Sequence, residues 1–179
     1  ENKTVIEPSS CGTGDWLLVP KTLRTTPDRP QLLEMDLILE ARRLGLGTAF
    51  IFHGAEPLRA KKFAGSNADA HEQYMQALLL SDAIMPVSTL AANDLKAFFV
   101  QHQKADSVPL IEEIPIPAEA QGDAARRWSD YVGSVRGILA NAGDKSHHLT
   151  ALYYWIDLAA PPCATGRVFT RRLASALTE

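Results

Sequence analysis

The 179 residues are 46% hydrophobic, enough apolar surface for one ordinary globular domain to bury a core without metal or disulfide staples. Lys and Arg number 18 against 21 Asp and Glu, a net charge of -3 with no basic run, which excludes the electrostatic footprint of a nucleic-acid binder. The two cysteines, Cys11 and Cys163, form no CxxC or ligand-spaced cluster, and no apolar run approaches the roughly 20 residues that span a bilayer.

The expectation is a reduced cytoplasmic protein without structural zinc, with peripheral contact at the inner face of a membrane left open. The chain opens at Glu1 with neither a Met nor a charged-then-apolar leader, which reads as a processed, excised or incomplete product.

In chain order, Trp16-Leu-Leu-Val19 follows Gly12-Thr-Gly-Asp15 and stops at Pro20, the outline of a buried strand, and Lys21 to Arg29 reads as loop. A helix predicted from near Pro30 puts Leu33, Leu37, Ala41 and Leu44 in one apolar stripe and stops at Gly45. The next strand, Thr48 to Phe52, delivers His53, Glu56 and Arg59 into a single turn. Ser66-Asn-Ala-Asp69 opens, in the manner of a capping box, a helix that places Ala70, Tyr74, Ala77 and Leu78 on one face and ends near Ser81-Asp82. Ala83 to Val87 reads as a short strand, with Ser88 capping a helix that carries Leu90, Ala91, Leu95 and Phe98.

Leu110 to Pro117 alternates in part, and its two prolines point to an edge strand or a strand exit. From Asp123 to Ala140 a helix aligns Trp128, Val132, Val135 and Leu139, a stripe for core or interface packing. Asn141 to Thr150 reads as a linker, Leu152 to Ile156 as a strand, Asp157 to Ala164 as a loop, and Thr165-Gly166 as the start of a last helix with Phe169, Leu173 and Leu177 aligned. Apolar strands alternating with amphipathic helices predict an α/β fold, a Rossmann-like parallel sheet with helices on both faces. Residues 1–140 then form the domain with its return helix 123–140, residues 141–150 link, and residues 151–179 complete the sheet or start a neighbouring domain.

Three segments carry a family resemblance: Phe52-His-Gly-Ala-Glu-Pro-Leu-Arg59, the Tyr-bearing His71-Glu-Gln-Tyr-Met75, and Ser81-Asp-Ala-Ile-Met-Pro-Val-Ser88 with Asp94-Leu95. Together they resemble the N-terminal, acceptor half of GT-B glycosyltransferases of family 4. Arg127-Trp-Ser-Asp-Tyr131 is similar to the family's last helix, which crosses back onto that half. Trp155-Ile-Asp-Leu158, Thr165-Gly-Arg-Val168 and Arg171-Arg-Leu-Ala174 are similar to its opening strand, loop and first helix.

The order is rearranged, since the opening strand comes last, and no second, donor-binding domain fits between Pro117 and Arg126. Nor does the family's pair of glutamates with seven residues between them occur. The resemblance implies a glycosyltransferase-like domain, incomplete as given, for transfer from a nucleotide sugar to a saccharide acceptor in polysaccharide or lipopolysaccharide biosynthesis. It implies no cofactor and no metal, with a neighbouring glycosyltransferase domain as partner. The alternative is a non-catalytic saccharide-binding or assembly module. A flavodoxin-like regulatory domain is disfavoured, because no acidic phosphoacceptor cluster or Gly-rich phosphate loop is evident.

By resemblance His53 is the strand-end histidine that faces the reacting sugar, although Gly54 stands where the family carries Asp; the plainer reading is a histidine bonded to a neighbouring loop. Glu56 and Arg59 are expected to bind acceptor hydroxyls or an anion, or else to form a surface ion pair. Ser88 offers a hydroxyl and amides at a helix N-terminus, or an ordinary cap. Gly166 and Arg167 resemble the loop that approaches the donor phosphates, or a helix-start turn, and His147-His148 read as solvated. The rearranged order further predicts that Tyr153 to Ile156 lies at the sheet centre, parallel to Trp16 to Val19; an edge position would mark it as the severed beginning of a neighbouring domain.

Overall fold

The computed structural model describes residues 14–20, 33–59, 66–102, 108–117, 124–142 and 152–154. Its elements run β1 (Trp16–Val19), α1 (Leu33–Arg43), β2 (Gly47–Phe52), α2 (Glu56–Arg59), α3 (Ser66–Leu78), β3 (Ala83–Pro86), α4 (Thr89–His102), β4 (Leu110–Ile111), α5 (Ala124–Ala142) and β5 (Leu152–Tyr154). The five strands form one parallel sheet in the order β4-β3-β2-β1-β5. The expected Rossmann-like α/β class is what the chain adopts.

Strand residues alternate between two apolar layers, as a pleated strand covered on both faces requires. Leu17, Val19, Phe50, Phe52 and Ile84 pack with Ile38, Tyr74, Met75, Leu78, Leu95 and Phe98 of α1, α3 and α4. Trp16, Leu18, Ala49, Ile51, Ala83 and Met85 face the other way and pack with Trp128, Val132, Val135 and Leu139 of α5, the stripe expected from sequence. The connections explain this segregation. Each step from β1 to β4 moves one strand in the same direction, and right-handed crossovers keep their helices on one face; the reversal from β4 back past β1 to β5 puts α5 on the opposite face. The strand order therefore reverses between β1 and β5, and in open α/β sheets ligands collect beyond the carboxyl ends at such a point.

β5 pairs with β1 in parallel, Leu17 opposite Tyr153 and Leu18 opposite Tyr154, as expected. Its position corrects the expectation. β5 is the outermost described strand on that side and β1 and β2 lie inside, so the tail does not take the central place of a displaced opening strand; Trp155 and Ile156 fall outside the described residues. At the other edge, the two-residue β4 gives way to irregular chain before Pro115 and Pro117, since proline has no N–H for a ladder.

Three helix faces differ from their predicted stripes. On α1 the buried apolar positions are Ile38 and Ala41, with Leu37 and Leu44 only partly covered. On α3 Ala70 is exposed, and Ala68 and Met75 join Tyr74, Ala77 and Leu78 in the core. On α4 Leu90 is 57% exposed. In each case the helix rotates toward its sheet-facing neighbours, and one apolar residue is left in solvent at small cost. The end of α1 is as read: Gly45 (φ 74°) reverses the chain while Gly45 N bonds Arg42 O at 3.0 Å and Leu46 N bonds Ala41 O at 2.9 Å, the paired closure of a Schellman turn.

Gly47 pairs with Trp16 across β1 and β2, and a Cβ there would lie 2.7 Å from the indole. Trp16 is buried over this spot. Gly47→Ala is expected to lower the unfolding free energy by about 1–3 kcal/mol through overpacking, read from the urea midpoint at unchanged slope; an unchanged midpoint would show that Trp16 has another seat.

Candidate functional site

The carboxyl end of β2 brings together a cluster of ionisable groups from several elements. His53, one residue beyond β2, sets Nε2 2.9 Å from the carbonyl oxygen of Pro20 at the end of β1, so the ring donates and joins two adjacent strand ends. Burial lowers the His53 pKa; the Pro20 carbonyl and the Glu56 carboxylate act in the opposite direction.

Gly54 follows with φ 137°, a conformation that side-chain-bearing residues rarely adopt. Its missing Cβ would sit 2.7 Å from Glu56 Oε1 and 2.8 Å from Oε2. The Glu56 carboxylate thus folds back over the glycine and occupies the place of a side chain. Arg59, at the far end of α2, donates from Nη2 to Glu56 Oε1 at 2.8 Å and places Nη1 3.3 Å from Asp94 Oδ2 on α4. Asp94 is 17% exposed and Glu56 is 68% exposed, so the guanidinium bonds a solvent-facing carboxylate on its outer side and meets a mostly covered one on its inner side, through an ion pair without a hydrogen bond.

His71 of α3 completes the cluster. Its ring centroid lies 5.4 Å from that of Tyr74 and 6.5 Å from that of Phe52. Burial lowers its pKa, opposed by the Glu56 charge and by the backbone of Gly54. Nε2 of His71 is buried with no hydrogen-bond partner, an arrangement that a neutral ring tolerates far better than a charged one.

The candidates from sequence divide clearly. His53, Glu56 and Arg59 meet at one strand end, and the loop bond and the ion pair weighed as plainer readings for them are both present. Ser88 lies at the carboxyl end of the adjacent β3, where Val87 N bonds Phe52 O at 3.0 Å, and its Oγ accepts from Ala91 N at 3.2 Å as a helix cap. Gly166, Arg167 and His147-His148 lie outside the described residues. Among those described, no group of His, Cys, Asp and Glu is arranged to hold a metal, and no helix is long and apolar enough to cross a membrane.

Sequence reading assigned no role to His71 or Asp94. For His71 a signal existed, since it precedes Tyr74 by three residues and so shares its helix face. Asp94 is 35 positions from Arg59 (94 minus 59), and nothing local indicates the pair.

Two half-buried, neutral imidazoles have a consequence for stability. Both folded pKa values lie below the ordinary 6.5, so the unfolded chain takes up protons first. Their contribution is complete above about pH 6.5 and is lost as pH falls through the folded values. Urea unfolding at about pH 7.5 and about pH 5.5 should show lower stability at the lower pH, and the difference should shrink in His71→Phe. An unchanged difference would remove His71 from the titration.

Compared with known proteins, the chain matches no family model, no curated protein and no solved structure.

Proposed function

We propose that this chain is a GT-B-type glycosyltransferase domain that binds a saccharide acceptor at the carboxyl ends of β1, β2 and β3. The observation that carries this reading is the meeting of His53, Glu56, Arg59 and Asp94 at the end of β2, the edge of a parallel sheet at which ligands gather. Glu56 presents a solvent-facing carboxylate held by Arg59 and Gly54, a strong acceptor for sugar hydroxyls. Arg59 is engaged by two carboxylates, so it orients Glu56 and does not receive an anion. His53, neutral at pH 7 and fixed by Pro20, lines the same strand end.

In this reading the nucleotide sugar is held by a donor-binding domain on a partner or on further polypeptide, and positioning of acceptor against donor supplies most of the catalysis. The setting is polysaccharide or lipopolysaccharide assembly at the cytoplasmic face of a membrane. Capture of the His53 ring by Pro20 and the glycine at position 54 favour a second reading, a saccharide-binding module without catalysis.

Calorimetry with a panel of neutral oligosaccharides tests the first claim. Binding is expected, weakened about 10-fold by Glu56→Gln, as loss of one charge-assisted hydrogen bond implies; no binding by any member would contradict it. Incubated alone with UDP- and GDP-sugars and an acceptor that binds, the chain should release no diphosphate above the blank. Turnover lost on His53→Ala would make His53 catalytic and discard the module reading.

A further inference from the structure

The two carboxylates that hold Arg59 differ in kind. Glu56 belongs to the same four-residue helix as Arg59 and faces solvent, and an exposed pair of this kind adds little by itself. Asp94 stands on a different and longer element, α4, whose neighbours Ala91, Ala92 and Leu95 are buried, so it is an anchor fixed by the core. α2 is too short to hold its own geometry, because a single helical turn lacks the cooperativity that stabilises longer helices. Among the described residues, Asp94 is the group outside α2 that pairs with Arg59.

The chain of contact then runs inward. Arg59 Nη2 fixes Glu56 Oε1, and Glu56 Oε1 lies 2.7 Å from where a Gly54 Cβ would be. His53 faces the Pro20 carbonyl and Glu56 among its neighbours. His71 faces Glu56, the Gly54 backbone and the rings of Tyr74 and Phe52. Glu56 is the shared charge.

We propose that Asp94 is a positioning residue of this site: through its ion pair with Arg59 from α4 it holds the Glu56 carboxylate over Gly54, at the strand end that carries His53. The assignment does not depend on the saccharide reading, because it concerns where a charge is held and not what binds there. Nothing in it requires ligand or catalysis.

An NMR titration of the imidazoles in the full 179-residue chain tests it. When Glu56 is released, both rings lose its field, so Asp94→Asn is expected to lower the His53 and His71 titration midpoints by about half a pH unit, in the same direction as Glu56→Gln. A direct field from Asp94 would do likewise, and the double variant separates the two. If Asp94 acts through Glu56, Asp94→Asn has no further effect in the Glu56→Gln background; additive lowering would overturn the proposal, as would unchanged midpoints in the single variant.

Should Asp94→Asn fail to fold, Arg59→Gln breaks the same link. Direct loss of a positive charge would raise both midpoints, whereas release of Glu56 lowers them. A rise in both would overturn the proposal.

Discussion

Trp128→Ala is expected to lower the unfolding free energy by about 3–5 kcal/mol, the range for an aromatic removed from a packed core. Trp128 is 6% exposed on α5, with the Tyr131 ring edge-on at 5.5 Å. It shares the second apolar layer with Trp16, Leu18, Ile51 and Met85 from the sheet. On the opposite face three helices divide the burial, whereas among the described residues α5 is the one helix contributing to this layer. A cavity there has few neighbours able to close it. Because a domain of this size is stable by only about 5–15 kcal/mol, the loss should be plain in guanidinium or thermal unfolding. A change under about 1 kcal/mol would mean that α5 does not carry this face.

The second large effect is expected at the site. Gly54→Ala forces a side chain onto a backbone with φ 137°, which costs about 1–3 kcal/mol. The added methyl also claims the space of the Glu56 carboxylate, 2.7 Å from Oε1. The carboxylate is the far end of a flexible side chain and will yield. The result is a folded but weakened protein in which Glu56 has left its seat, so saccharide affinity should fall at least as far as in Glu56→Gln. A variant with reduced stability and full affinity would show that the seat over Gly54 is irrelevant to binding.

Much of the fold was legible because strands and helices announce themselves locally. The apolar runs at Trp16, Thr48 and Ala83 and the stripe from Trp128 to Leu139 needed only their own neighbours to be read, and all of them lie where expected. The misplaced faces share a cause. On α1, α3 and α4 apolar residues exceed what one face can bury, and which of them turns inward is decided by the sheet. Thus Ile38 displaced Leu37 from the centre of its stripe, and Leu90 stayed in solvent.

The rank of β5 was wrong for a related reason. An apolar run says that a strand is buried but not how many neighbours it has, and here the order of connections set it beside β1 as the outermost of the described strands. At the site, His53, Glu56 and Arg59 were visible because one turn holds them. Asp94 and His71 come from separate helices, and the glycine that seats Glu56 looked from sequence like a missing aspartate.

Amide chemical-shift mapping with the tightest-binding neutral oligosaccharide is the most direct measurement of whether the strand ends are the binding site. The expected result is a contiguous set of shifts at His53, Gly54, Glu56 and Ser88, saturating with one dissociation constant that rises about 10-fold in Glu56→Gln. Shifts confined to the outer face of α5, or none at these four residues while binding is seen by calorimetry, would contradict it.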